Sequence, residues 1–153
     1  MAWIFRSAKC SAIVGGLVLC AITLMSVASI TGRALIGVGL GPVPGDFEMV
    51  EVGTALAVFF FLPWCYLKGG HATVDLFYMH LPKSMKWLVD TFSDVIMLVL
   101  WLALTWMLWE GMLEKREYFE TTFILQMPIW WAYALCMGGA VIGCLSYIAK
   151  TLI

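Results

Sequence analysis

An all-α integral membrane fold of four transmembrane helices is what the sequence predicts, on three observations. Of 153 residues, 63% are hydrophobic and only 12% are charged, where a soluble domain carries about 25% charged residues. Almost every charge lies between four long apolar stretches. Four spans of about 20 residues need about 80 residues, and the chain supplies them with only short connections left over. One four-helix membrane domain is therefore expected over residues 1–153. Its helices fall near 11–35, 47–67, 85–113 and 128–149, with room for a short amphipathic surface helix between the second and third.

The first span is the uncharged run from Cys10 to Gly32, preceded by Arg6 and Lys9. Ser26-Val27-Ala28 resembles a signal cleavage site, but signal cores are about 7–15 residues. The longer run predicts a retained helix from about Ser11 to Leu35. The following GVGLGPVPG, Gly37–Gly45, has two prolines and no helical period, so it breaks the chain. Asp46 is placed to cap the second helix, which runs to Leu67. Asp46, Glu48 and Glu51 occupy its first turns, where the helix dipole favours acids. Pro63 is positioned to kink its far end, and Lys68-Gly69-Gly70 stops it.

Residues 72–81 set Val74, Leu76, Phe77 and Leu81 against His71, Asp75 and His80, the pattern of an amphipathic segment on the membrane surface. Pro82 leads into the third helix, about Met85–Leu113. A charged connection, Glu114–Glu120, follows. Pro128 suits the first turn of the fourth helix, which runs to about Ala149.

Orientation follows from lysine and arginine. With both termini inside, the inner side holds Arg6, Lys9, Lys68, Lys83, Lys86 and Lys150, and the outer side Arg33, Lys115 and Arg116. The bias places both termini in the cytoplasm. Trp64 and Trp87 fall near one interface, and Trp106, Trp109, Trp130 and Trp131 near the other, as aromatic belts require.

The charges also restrict function. Carriers that move ions keep ionisable or unwound polar groups near mid-membrane, and here the helix centres hold none. Glu51 and Glu110 lie near helix ends. Asp94 is the exception, about two turns inside the third helix and on the face of Asp90. Two readings stand: a polar contact to a partner or a proton site, or an inner-interface acid paired with Lys83, Lys86 or Lys68. No cofactor is expected. His71, Asp75 and His80 are too few for a structural metal site, paired axial histidines for haem are absent, and no nucleophile–base pair points to an enzyme. Five cysteines form no CxxC pair and read as small packing residues. A net charge of −1 offers nothing to nucleic acid.

Small residues mark the helix contacts. Ala12-x3-Gly16, Gly53-x3-Ala57 and Gly139-x3-Gly143 allow close approach, within the chain or between subunits. Trp101 is too central for a belt; a partner, the lipid and the core are all open to it.

Several segments together resemble the small membrane subunit of tripartite ATP-independent periplasmic (TRAP) transporters, the DctQ-like family. FEMVEVGTALAVFFFL (Phe47–Leu62) looks like its Glu-containing start to the second helix. KGGHATVDLFYMHLP (Lys68–Pro82) is similar to its basic–small–His–x–x–Val–Asp–Leu stretch. LQMPIWWAY (Leu125–Tyr133) resembles its Pro-x-Trp-Trp opening of the last helix. Arg33 sits where the family often carries an arginine. Glu48 and Glu51 depart from its adjacent acidic pair.

The resemblance implies a scaffold in a bacterial or archaeal cytoplasmic membrane. It would support a larger membrane subunit holding the substrate and sodium sites. A periplasmic substrate-binding protein would deliver an organic acid, such as a dicarboxylate, for ion-coupled uptake. Membrane lipids are further partners. Glu48, Glu51, Lys68, His71, Asp75, Asp94, Pro128, Trp130 and Trp131 are the candidate motif or interface residues. Lys68, His71 and Asp75 either organise the inner loop or contact the large subunit or lipid headgroups. Pro128, Trp130 and Trp131 set the start and depth of the last helix. The competing reading is an autonomous four-helix exporter with Asp94 as its coupling acid.

Overall fold

A computed structural model of the protein describes residues 2–69 and 82–151. Four helices follow in order: α1 (Ala2–Ala34), α2 (Asp46–Leu67), α3 (Lys83–Glu117) and α4 (Ile129–Thr151). Each is long and apolar enough to cross a membrane. The described residues contain no strand, only an isolated bridge between Thr121 and Pro128.

The helices differ in length, and the reason is local. α2 and α4 have 22 and 23 residues, about 33–35 Å at 1.5 Å per residue, close to the roughly 30 Å hydrocarbon layer. α1 starts well before Ser11, because Ala2–Lys9 contains no helix breaker and continues the same turn pattern. α3 runs through Glu117 instead of stopping near Leu113. Lys115 and Arg116 fall in its last turn, where cations suit the helix dipole. The Gly37–Gly45 connection also carries a 3-10 turn at Ile36–Val38, ended by Gly39 at φ 87°.

Two central helices organise the packing. α2 and α4 lie side by side and parallel, α1 packs antiparallel on α2, and α3 packs antiparallel on α4. The first contact is zipped from Phe5 against Trp64 to Ser29 against Asp46. The second runs from Lys150 against Asp94 to Tyr133 against Gly111. The start of α1 and the end of α4 therefore lie at the same end of the bundle.

Small residues at the crossings let the backbones approach. A Cβ on Gly53 would meet Ile22 of α1 at 2.7 Å, one on Gly139 would enter the Phe60 ring, and one on Gly143 would enter the Trp101 indole. In α1 the buried small residues are Ala8, Ser11, Gly15 and Ser29. A Cβ at Gly15 would meet Phe60 at 3.2 Å and one at Gly16 only Phe61 at 3.9 Å, so the close approach predicted at Gly16 is made by its neighbour. Pro63 is inside α2 and buried. It cannot donate to the carbonyl four residues back, that of Phe59, and the added Cβ at Gly139 would lie 2.8 Å from that same oxygen.

The core is aromatic. Tyr66 of α2 stacks on Tyr147 of α4 with centroids 3.8 Å apart, and Tyr147 stacks on Trp101 of α3 at 5.1 Å. Phe59 lies 5.8 Å from Trp101. Trp101 is 3% exposed, and its Nε1–H donates to the Ala140 carbonyl at 2.9 Å. Of the three places open to Trp101, the structure selects the core.

Candidate functional site

The polar groups collect at the two ends of the bundle, and each end fastens several helices.

At the end carrying both termini, Tyr66 is buried in the last turn of α2 and donates its hydroxyl to Asp94 Oδ1 at 2.6 Å. Lys150, near the end of α4, places Nζ 3.6 Å from the same carboxylate oxygen, 4.1 Å from the Tyr66 ring centre and 3.5 Å from the Tyr66 carbonyl oxygen. One acid thus joins α2, α3 and α4. Asp94 pairs with Lys150, a lysine outside the three that the sequence suggested. It also lies at the bundle's end, because α3 continues for three turns past the level of Lys150, from Lys83 to Ser93. Counting residues along α3 alone does not give this level, which is set by where α2 and α4 end. A Tyr–Asp–Lys contact of this kind ties helices together and gives the carboxylate its partners.

At the opposite end, the cap position of α2 belongs to Gly45 at φ 76°, not to Asp46. Asp46 is one residue further and works sideways. Its Oδ2 accepts from Ser29 Oγ at 2.6 Å and faces Arg33 at 3.4 Å, while Oδ1 accepts from Phe47 N–H at 2.9 Å. Ser29 in turn accepts from Val43 N–H at 3.2 Å. α1, the connection and α2 are thereby joined.

Glu48 reaches across the same end. Its two carboxylate oxygens accept the backbone N–H groups of Ile124 and Leu125 at 2.7 and 3.0 Å. This draws the connection between α3 and α4 over the start of α2. The connection is itself a small hairpin, closed by Thr122 N–H to Met127 O at 2.9 Å and Ile129 N–H to Glu120 O at 3.0 Å. Lys115 binds both oxygens of Glu120 at 2.8 and 3.0 Å. Glu120 is therefore engaged within the loop. Phe119 and Gln126 take left-handed backbone, at φ 51° and 55°, uncommon for residues other than glycine.

The remaining candidates fall as follows. Glu51 is exposed and makes no hydrogen bond or ion pair among the described residues. Lys68 caps α2 by donating its backbone N–H to Trp64 O, and its Nζ lies 5.1 Å over the Trp64 ring. Pro128 occupies the position before α4 and accepts from Trp131 N–H at 3.2 Å. Trp130 and Trp131 meet edge to face at 5.9 Å, with Arg116 5.7 Å over Trp130. His71, Asp75 and the amphipathic segment 72–81 lie outside the described residues.

Among the described residues, no three His, Cys, Asp or Glu side chains converge as metal ligands. A groove between α3 and α4, lined by Leu102, Thr105, Trp106, Trp109 and Met137, is apolar but for Thr105, whose hydroxyl already donates to Trp101 O. It gives a polar solute no coordinating group.

Sequence reasoning missed Tyr66, Lys150 and Ser29. The first two had a usable signal. Tyr66 and Lys150 both stand within a turn of the C-terminal end of their helices, the level that a paired Asp94 would have to share. Ser29 had none, since serines are common in apolar helices. The Glu48 contact was equally hidden, because its donors are backbone amides 76 and 77 positions away.

The model of the family described as tripartite ATP-independent periplasmic transporters, DctQ component, matches residues 11–152. No curated protein and no solved structure gives a match.

Proposed function

Because the chain belongs to the DctQ component family of tripartite ATP-independent periplasmic transporters, and so is a small multi-pass membrane subunit of a transporter rather than an enzyme, we propose that it is the passive scaffold of that system. In this reading it folds as one domain and braces a larger membrane subunit that carries the substrate and ion sites. A periplasmic binding protein delivers an organic acid, and uptake is driven by an ion gradient, with sodium the proposed ion. The membrane is the cytoplasmic membrane, and both termini face the cytoplasm. The lysine and arginine bias supports that orientation, as does the position of Phe5 and Lys150 at one end of the bundle.

One observation carries the proposal: the family match extends over nearly the whole chain. The geometry supports it from a second direction. Asp94, the candidate coupling acid of an autonomous exporter, bonds to Tyr66 and Lys150, and Asp46 and Glu48 hold helices and loops together. These groups serve as fasteners between helices. Glu51, Lys68, His71 and Asp75 are proposed contacts to the large subunit or to headgroups, and Pro128, Trp130 and Trp131 set the depth of α4.

Co-purification tests the proposal. The tagged chain is produced together with the large membrane protein encoded beside it and extracted in mild detergent. Scaffolding predicts that the two elute together in fixed proportion. Elution of the chain alone, with the large protein present in the same membranes, contradicts it.

A further inference from the structure

Arg6, Lys9 and Lys68 stand at the end of the bundle that carries both termini. All three are exposed and form no ion pair among the described residues. No acid is close in sequence either, since residues 1–45 and 52–69 contain neither Asp nor Glu.

Trp64 brings these cations to one surface. Phe5 meets the Trp64 ring edge to face at 6.5 Å, and Lys68 Nζ lies 5.1 Å over the same ring. At about 100° per residue, Phe5, Lys9, Ala12 and Gly16 of α1 fall within about 60° of one another. Lys9 is therefore one turn along from Phe5 on the side of Trp64, and Arg6 lies about 60° beyond it. Helix side chains lean towards the N-terminus, so Lys9 leans back to the Phe5 turn as Lys68 leans back over Trp64. Two cations thus approach a floor of two aromatic rings. Such rings settle at the level of the lipid headgroups.

The same side of α1 carries a trough. Ala12 and Gly16 are only half-buried, and the close helix contact is made by Gly15 instead. A Cβ on Gly16 would meet nothing nearer than Phe61 at 3.9 Å. From Phe5 to Gly16 is about 16 Å along the helix axis, close to half of the roughly 30 Å hydrocarbon layer. An apolar trough one leaflet deep, ending at cations with no acid beside them, complements a phospholipid of net negative charge. A zwitterionic lipid would leave the cations unbalanced.

We propose that this face of α1 and α2 binds an anionic phospholipid. Lys9 and Lys68 hold the phosphate, with Arg6 adding to the field. The Phe5 and Trp64 rings support the glycerol, and one acyl chain follows Ala12 and Gly16. For Lys68 this selects the headgroup over the large subunit. The inference needs only that the helices cross a membrane, so its failure leaves the scaffold reading standing.

Native mass spectrometry of the full chain tests it, with phosphatidylglycerol and phosphatidylcholine of the same acyl chains titrated into detergent solution. Phosphatidylglycerol is expected to bind at least about tenfold more tightly. Lys9→Gln and Lys68→Gln are each expected to weaken it about fivefold and to leave phosphatidylcholine unchanged. Both side chains are exposed, and circular dichroism checks that the variants fold. Arg116→Gln makes the same charge change at the opposite end and is expected to have no effect. Gly16→Leu fills the trough and is expected to weaken both lipids; the lysine variants decide the matter if it fails to fold. In the co-purified complex the lipid is expected to remain. Equal binding of the two lipids overturns the proposal, as do equal losses in Lys9→Gln and Arg116→Gln, or unchanged binding in a folded Gly16→Leu. Displacement by inorganic phosphate would assign the cations to a soluble anion and overturn it. Exclusion of the lipid from the complex would give this surface to the large subunit and likewise overturn it.

Discussion

Replacing Gly143 by alanine adds one methyl group where α4 meets Trp101 of α3. The added Cβ would overlap three atoms of the Trp101 indole, Cε2, Cζ2 and Nε1. Trp101 has no easy retreat, because its ring stacks on Tyr147 and Phe59 lies beside it. Either the helices separate or the indole turns, and turning breaks its hydrogen bond to Ala140 O. Overpacking of this kind costs about 1–3 kcal/mol. The lost inter-helix hydrogen bond adds about 0.6 kcal/mol, up to about 1.7. Alanine recovers up to about 1 kcal/mol of helix propensity. A net destabilisation of about 1–3 kcal/mol follows from these terms. Unfolding of the purified protein by SDS titration, followed by near-ultraviolet circular dichroism, measures it. Gly138→Ala is the internal control, since nothing lies within 4 Å of its added Cβ. If Gly143→Ala proved as stable as Gly138→Ala, the close α3–α4 contact and the core position of Trp101 would both be wrong.

Three further outcomes are expected. Tyr66→Phe removes the hydroxyl that donates to Asp94 and should destabilise the protein by about 1–2 kcal/mol, as bonds to charged acceptors do. Lys150→Met, which breaks a longer and partly exposed pair, should have an effect below about 1 kcal/mol; the opposite ranking in the same unfolding assay would refute the order of importance argued for this cluster. Glu48→Ala should accelerate hydrogen exchange at the Ile124 and Leu125 amides by at least about tenfold, because an accepting bond worth more than about 1.4 kcal/mol is lost at each, and unchanged exchange would remove the loop anchor. Asp46→Ala should loosen the α1–α2 contact at the start of α2 through the loss of Ser29 and Arg33 as partners, visible as faster proteolysis within Gly37–Gly45, while Glu51→Ala should leave it unaffected.

The number and order of the spans were legible in the sequence because charge and apolar length decide them, and lipid leaves the backbone few alternatives. Gly139 and Gly143 were legible as small residues at a spacing that permits close contact, although the same spacing at Ala12 and Gly16 did not place the contact on Gly16. Helix ends were less so. α1 and α3 extend into polar sequence that propensity alone does not forbid, and the Lys115–Glu120 clamp that ends α3 depends on the loop beyond it. Asp94 shows the limit most clearly. Its position along α3 could be counted, but its level in the bundle depends on where α2 and α4 end, and that sets whether it meets Tyr66 and Lys150 or hydrocarbon.

The central claim is that this chain supports transport and carries no solute itself. Uptake of organic acid into proteoliposomes with and without an inward sodium gradient measures it most directly, with this chain alone, with the large subunit, and with the binding protein added. The account predicts accumulation only when all three proteins are present and the gradient is imposed. Accumulation against a gradient by this chain alone, lost on Asp94→Asn, would contradict it.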